Sequence, residues 1–171
     1  GMSAPCDLRV AGGRIAGIGP SLAAQDGDTV IEGGGKLLMP GLVNGHFHSA
    51  VNHMKGRLPS LPLEIFMLYE CPELDILRPT PREAYLRTML GCIEMLRAGT
   101  TAVQDDCFFV PAPSPEIIDA VAQAYEDSGM RARLALDQAE LSELDKLPFL
   151  RELLPVDLRR AMPRPPARRR R

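Results

Sequence analysis

The chain has 171 residues, of which 45% are hydrophobic and 25% charged, a composition typical of a folded globular domain. No stretch reaches the roughly 20 consecutive apolar residues of a membrane-spanning helix, and we expect no secretory signal because no basic segment precedes an apolar one. The four cysteines form no C-x-x-C pair and match no common zinc module. We therefore expect free thiols and a cytoplasmic protein.

The net charge of −2 hides an uneven distribution of basic residues. Seven arginines and no acid lie in residues 159–171, which leaves 13 basic and 22 acidic residues in 1–158. The segment 159–171 has no periodic apolar face, so it predicts a disordered, Arg/Pro-rich tail. Three interpretations stay open: an arm that binds RNA or phosphate groups, a disordered end without function, and a segment outside the natural coding sequence. A nucleic-acid-binding function is the least favoured of the functions considered.

Residues 7–38 predict short β-strands separated by glycines. "DLRVAGGRIAGIG" contains two β-rich runs joined by Gly12-Gly13, a dipeptide suited to a tight hairpin. "DTVIEGGGKLLMPG" repeats the pattern around the glycines at 33–35. Two such hairpins provide too few strands to close a sandwich or barrel.

After Pro40 the pattern alternates between strands and helices. The predicted elements, in chain order, are a strand at 41–48, an irregular segment at 49–80, a helix at 80–99, a strand at 100–106, a helix at 115–129, a strand at 130–138 and a shorter helical piece at 145–155. Such alternation indicates parallel strands joined by right-handed helical crossovers, and therefore an α/β fold. Neither a G-x-G-x-x-G nor a Walker-type sequence supports a nucleotide-binding function.

The two longer helices carry recognisable end signals. Thr80 is the expected N-cap of the first, with proline at the first helical position, Glu83 completing a capping box and Gly99 just past the end. Ser114 is the expected cap of the second. The residues of the first helix predicted to face the core are Tyr85, Met89, Cys92, Ile93 and Leu96.

The run "GLVNGHFH" ends in His46 and His48. Alternate residues of a strand point to the same face, so the two imidazoles are expected to lie together. Neutral imidazole is a good zinc ligand, but a bare H-x-H is also compatible with surface or hydrogen-bonded histidines. The remaining histidine, His53, is outside the strand period, and we expect a loop residue there and not a third ligand.

"KLLMPGLVNGHFHSA" resembles the entry into the catalytic barrel of the amidohydrolase superfamily, where a hydrophobic strand, a Pro-Gly turn and H-x-H follow in this order. "GRIAGIG", "KGRLPSLPLEIFMLYE", "TPREAYLRTMLGCIEMLRAGTTAVQDD" and "IIDAVAQAYEDSGMRARLALD" resemble its N-terminal strands and first barrel units. The branch contains cytosine, guanine and S-adenosylhomocysteine deaminases and triazine chlorohydrolases. The resemblance covers about residues 7–158 and implies part of a small β-sandwich domain at 1–40, followed at 41–158 by the first three units of a metal-dependent hydrolase (TIM) β/α barrel.

The resemblance implies that His46 and His48 bind a divalent metal, most often zinc and alternatively iron. The metal would activate a water for attack on an amino- or chloro-bearing carbon of a small nitrogen heterocycle. The first barrel loop of the family holds a substrate-contacting carboxylate. Glu73 is favoured for this role over Glu64, Glu70 and Asp75, with solvated loop charge as the alternative.

Asp105 and Asp106 end the second barrel strand on the active-site side. Two interpretations stay open for them: hydrogen-bond partners of a metal-bound histidine, or capping residues of the next helix.

The chain also departs from the family pattern. The family's barrel has eight strands, and its other metal ligands are two later histidines and an aspartate, whereas no histidine follows His53 here. We therefore expect an incomplete barrel, an inactive chain with an incomplete metal site, and possible homo-oligomers that cover the open sheet edges. The alternative is a truncated or frame-shifted, non-enzymatic partial β/α domain that binds metal weakly or not at all.

Overall fold

A computed structural model describes residues 5–58, 60–72, 74–110, 112–137 and 146–161. The chain divides into two compact units, Gly1–Met39 and Pro40–Arg171. Across the described ranges, no helix is both long enough and apolar enough to cross a membrane.

The first unit contains one antiparallel hairpin, formed by β1 (Asp7–Ala11) and β2 (Arg14–Gly19). Its turn residues Gly12 and Gly13 have φ values of +56° and +72°. Positive φ at both central positions is the requirement of the type I′ turn, which matches the twist of the flanking strands. The predicted Gly-Gly hairpin is confirmed.

The second predicted hairpin is wrong. A turn does form, because the Lys36 N–H donates to the Gly33 carbonyl at 2.9 Å and Gly35 has a φ of +72°. The β-rich runs on either side of it form no strands, and Ile31 and Leu37 are 84% and 75% exposed. A β-rich composition favours a strand only where a partner is available to complete the ladder and cover one face.

The second unit is built on a three-stranded parallel sheet with the order β3-β4-β5. Its strands and helices, in chain order, are β3 (Leu42–Phe47), α1 (Leu63–Glu70), α2 (Pro81–Arg97), β4 (Thr100–Asp106), α3 (Pro115–Ser128), β5 (Arg131–Ala135), α4 (Leu150–Leu153) and α5 (Val156–Ala161). The sequence-based prediction of parallel strands with helical connections is confirmed.

The segment between β3 and α2 is more regular than predicted. It contains 3-10 turns at Ser49–Met54 and Asp75–Leu77 in addition to α1. Pro62 is the N-cap residue of α1, and Pro72 follows shortly after its end. The prolines therefore bound a short helix, a position where the missing N–H costs little, and do not prevent it.

The capping box of α2 is confirmed. The Glu83 N–H donates to the Thr80 hydroxyl at 3.3 Å, and the Thr80 N–H donates to the Glu83 carboxylate at 2.7 Å. Gly99 follows the helix with a φ of +84°. Ser114 is the N-cap residue of α3 as predicted, but its hydroxyl accepts no backbone N–H there.

The buried face of α2 differs from the predicted face. Cys92 is fully buried as expected, whereas Ile93 and Leu96 are 46% and 38% exposed. The residues of α2 that are buried are Ala84, Thr88, Gly91, Cys92 and Met95. Most of these are small, which lets the helix backbone approach its neighbours closely, and hydrophobic spacing predicted only Cys92 among them.

Helix α4 lies within the predicted helical piece at 145–155. Arg159 and Arg160 belong to α5, so the predicted disordered tail begins inside a helical turn. Residues 162–171 of that tail lie outside the described residues.

Candidate metal centre

His46 lies in β3, and His48 follows the strand in extended conformation, with φ −124° and ψ 93°. Their Nε2 atoms are 3.1 Å apart, and their ring centroids are 4.7 Å apart at an interplanar angle of 88°. The alternation of side chains along the strand thus brings the two imidazoles together, as the sequence predicts.

The other ring nitrogen of His48 fixes the tautomer of this residue. Nδ1 lies 2.9 Å from the backbone carbonyl oxygen of Asp106. A carbonyl only accepts hydrogen bonds, so Nδ1 carries the proton, and in the neutral ring Nε2 presents its lone pair toward His46. A backbone carbonyl behind a histidine is a common way to orient a metal ligand.

The separation of the two Nε2 atoms suits a shared metal ion. Two Zn–N bonds of about 2.0–2.1 Å at a tetrahedral angle place their nitrogens about 3.3 Å apart, close to the observed 3.1 Å. Two neutral imidazoles are also the right donor chemistry for zinc and similar borderline metals. This pair therefore fits a divalent metal.

Asp105 and Asp106 lie at the end of β4 in different environments. Asp106 contributes the backbone carbonyl that holds His48, whereas the Asp105 carboxylate is fully buried. That carboxylate accepts hydrogen bonds from the Ser49 N–H at 2.9 Å, the Tyr125 hydroxyl at 2.8 Å and the Cys107 thiol at 3.2 Å. Neither aspartate is the N-cap of α3, because that position belongs to Ser114.

The donors around Asp105 remain protonated over the ordinary pH range. Burial, followed by the charge of Asp105, raises the pKa of the Tyr125 hydroxyl well above its usual value. The same two effects raise the pKa of the Cys107 thiol. Both groups therefore donate to the carboxylate and do not compete with it as anions.

Glu70 and Glu73 are two of the first-loop carboxylates proposed from the sequence. Glu73, the favoured candidate, lies outside the described residues. Glu70 ends α1, and burial raises the pKa of its carboxyl while the positive charge of His48 opposes that effect. Glu70 also lines a cavity of about 250 Å³ whose other walls include Val51 and Phe66. Its position at the end of a helix, where the charge of His48 affects its pKa, could not be read from the loop sequence.

His53 lies near the end of the 3-10 turn Ser49–Met54 and is exposed. Partial burial lowers the pKa of its imidazole, and the charges of Arg87 and Arg57 lower it further. Within the part of the chain that the structure describes, no group of three or more His, Cys, Asp or Glu side chains is placed to hold a metal ion. The histidine pair stands without a third such ligand there.

The sequence pattern of the Amidohydrolase family matches residues 37–157, which include β3, both histidines and all of β4 and β5. The chain belongs to the amidohydrolase family. The 5′-deoxyadenosine deaminase of Methanothermobacter thermautotrophicus is 36% identical over 134 residues, which are 78% of this chain and 29% of that protein. The 5-methylthioadenosine/S-adenosylhomocysteine deaminase of Carboxydothermus hydrogenoformans is 34% identical over 75% of this chain and 28% of its own length.

Solved structures agree with this membership. An atrazine chlorohydrolase from Arthrobacter aurescens, complexed with zinc, aligns with a TM-score of 0.70 at 25% identity over 81% of this chain and 32% of its own. A triazine hydrolase from the same organism aligns at 0.73 and 23% identity over 89% of this chain and 35% of its own, a likeness in fold. This amidohydrolase chain spans less than a third of the length of the two deaminases, 29% of the first and 28% of the second.

Proposed function

We propose that His46 and His48 are the first two metal ligands of a hydrolase that deaminates or dechlorinates a small nitrogen heterocycle. The observation that carries the proposal is the convergence of two Nε2 atoms at 3.1 Å, with His48 oriented by the Asp106 carbonyl. Family membership and the names of the deaminase and chlorohydrolase relatives supply the reaction class.

The position of the pair in the sheet supports the proposal. His46 and His48 lie at the carboxyl end of β3, and Asp106 ends the adjacent parallel strand β4. We take β3, β4 and β5 as the first three strands of a β/α barrel, whose active site is built at this edge of the strands. By the same proposal, the β1–β2 hairpin belongs to a small β-sandwich domain.

The metal would be zinc or another divalent ion of similar preference, such as iron. When bound, such an ion lowers the pKa of a coordinated water so that hydroxide is available near neutral pH. The protein residues orient the metal ligands. The Asp106 carbonyl keeps the proton on Nδ1 of His48, which leaves Nε2 free to bind.

The cavity beside α1 suits one part of a heterocyclic substrate. The residues that line it include the apolar Val51 and Phe66 together with the charged Lys55 and Glu70. An apolar wall accommodates a flat ring, and a carboxylate accepts hydrogen bonds from amino or hydroxyl groups. Nucleosides and aminotriazines both present such groups.

A second candidate is a partial β/α domain that binds metal weakly or not at all. It is favoured by one observation, namely that the histidine pair has no third His, Cys, Asp or Glu ligand among the described residues. Two imidazoles leave a four-coordinate metal without half of its protein ligands, and affinity falls accordingly.

Zinc titration of the metal-free chain against a chromophoric chelator tests the first proposal. We expect one site that His46→Ala and His48→Ala each abolish, and that the matched control His53→Ala retains. Ammonia release from 5′-deoxyadenosine or S-adenosylhomocysteine, or chloride release from atrazine, would then identify the reaction. Zinc affinity that is equal in all three variants would contradict the ligand assignment, and weak or absent zinc binding by the native chain would favour the second candidate.

A homo-oligomer remains a prediction. β3 and β5 are the edge strands of the described sheet, and Val43 of β3 is 74% exposed. Edges of this kind are usually paired or covered in a stable protein. Light scattering of the purified chain would detect an oligomer, and a well-folded monomer would count against it.

A further inference from the structure

Asp105 is on the strand next to the histidine pair, but its side chain lies on the opposite face of the sheet. In the parallel ladder, Asp105 of β4 is in register with Phe47, the residue between His46 and His48. Side chains alternate along the strand, so the imidazoles lie on one face while Phe47 packs toward Gly91 of α2. The Asp105 carboxylate is on that helix-facing side, where it meets Tyr125 of α3.

Two hydrogen bonds from the end of β4 hold His48 at two points. The Asp105 carboxylate accepts the Ser49 N–H at 2.9 Å, and the Asp106 carbonyl accepts Nδ1–H of His48 at 2.9 Å. The Ser49 N–H belongs to the peptide group that follows His48, so its orientation sets the ψ angle of His48. One residue of β4 therefore fixes the backbone of the ligand, and the next fixes its ring.

The carboxylate itself is held by further donors. Tyr125 and Cys107 both donate to Oδ2, which leaves Oδ1 directed at the Ser49 N–H. All three contacts are buried, and hydrogen bonds to an ionised carboxylate are stronger than those between neutral groups. Three donors also compensate the loss of solvent around the buried charge.

We propose that Asp105 is a positioning residue for His48, acting through the Ser49 peptide and anchored from behind by Tyr125. The inference rests on the proposed role of His48 as a metal ligand. With Asp105 in place, Nε2 of His48 is aimed at the point it shares with Nε2 of His46 before any metal arrives. Binding then requires no reorganisation of this side chain.

Asp105→Asn and Tyr125→Phe test the proposal in the full chain, with Zn²⁺ alone as the probe. The matched controls are Asp127→Asn and Tyr85→Phe, because Tyr85 donates to Asp127 at 2.9 Å in an equivalent but exposed Tyr–Asp pair. We expect the zinc dissociation constant to rise about tenfold for Asp105→Asn. Tyr125→Phe should raise it less, and neither control should change it.

A second readout separates positioning from a general loss of stability. In the metal-free chain, long-range ¹H–¹⁵N spectra of the imidazoles report which nitrogen of His48 carries the proton. We expect a dominant Nδ1–H form in the native chain and in both controls, and a mixture of tautomers in Asp105→Asn. Melting temperatures of all variants, measured in parallel, show whether the fold is retained.

The outcomes are distinct. Unchanged zinc affinity and an unchanged His48 tautomer in a folded Asp105→Asn variant would overturn the inference. If Asp105→Asn does not fold, the same two measurements on Tyr125→Phe decide, and a native tautomer with native affinity there overturns it. If the native chain binds no zinc through its histidines, the proposed function fails, while the metal-free tautomer still decides whether Asp105 positions His48.

Discussion

The ring of Phe47 packs directly against Gly91 of helix α2. A β-carbon placed on Gly91 would lie 2.5 Å from Cζ of Phe47 and 2.5 Å from Nδ2 of Asn52. The absence of a side chain at position 91 is therefore what allows the helix to approach the strand that carries His46 and ends just before His48. Because Phe47 stands between His46 and His48, a displacement of its ring would also shift the backbone that carries the two histidines.

We predict that Gly91→Ala destabilises the protein. In an exposed helix this substitution would be favourable by about 1 kcal/mol, because alanine is the better helix former. At this buried contact the added methyl group overpacks the core, which typically costs about 1–3 kcal/mol. Chemical denaturation should therefore show a lower free energy of unfolding, accompanied by weaker zinc binding. A stabilised variant would contradict the close packing of Phe47 against Gly91.

The capping box of α2 gives a second prediction. Thr80→Ala removes the hydroxyl that accepts the Glu83 N–H, and loss of such a cap costs about 1 kcal/mol. Ser114→Ala is the matched control, since Ser114 occupies the same position of α3 without accepting a backbone hydrogen bond. Thermal unfolding should show a clear loss for Thr80→Ala and a smaller one for Ser114→Ala. Equal losses of stability in the two variants would show that the hydrogen bond to the Thr80 hydroxyl does not stabilise the protein.

These local signals explain how much of the fold the sequence predicted. Caps, glycine turns and strand periodicity depend on neighbours within a few residues, so Thr80, Gly12 and the bounds of β4 could be read directly. The buried face of α2 could not be read from the sequence, because it depends on which distant parts of the chain pack against the helix. Gly91 is buried by the approach of Phe47, more than forty positions away in the chain.

The candidate site divides in the same way. The pairing of His46 with His48 follows from the two-residue period of a strand, so it was predictable. The sequence also indicated Asp105 and Asp106 as candidate hydrogen-bond partners of a histidine, but it could not show which of their atoms accept the hydrogen bonds. Only the fold shows that Asp106 acts through its backbone carbonyl and that the Asp105 carboxylate binds the peptide after His48.

We expect the stability of the protein to depend on pH through the titration of His53. Partial burial and the charges of Arg87 and Arg57 lower the pKa of its imidazole in the folded state below the usual value of 6.5. Between these two pKa values the unfolded chain binds more protons, so the free energy of unfolding rises with pH up to about 6.5. His53→Gln should flatten this rise in denaturation experiments over the same pH range. Identical slopes in the two proteins would refute the assignment.

Arg57 provides the control for that experiment. Arg57→Gln removes one of the charges that lower the pKa of His53, so this pKa should move back toward its usual value. Histidine ¹H NMR titration resolves the change directly. The shift should be smaller than the total displacement of the His53 pKa, because burial is its largest cause.

Glu70 gives the most direct test of the geometry beside the histidine pair. Burial raises the pKa of its carboxyl, whereas the hydrogen bonds from Thr80 lower the pKa of Glu83. In a ¹³C NMR titration Glu70 should therefore change at higher pH than Glu83. His48→Ala should raise the pKa of Glu70 further, because the imidazolium charge that favours the carboxylate is gone. The matched control His53→Ala should leave the pKa of Glu70 unchanged. If His48→Ala also leaves this pKa unchanged, the Glu70 carboxyl is not close to the proposed metal site.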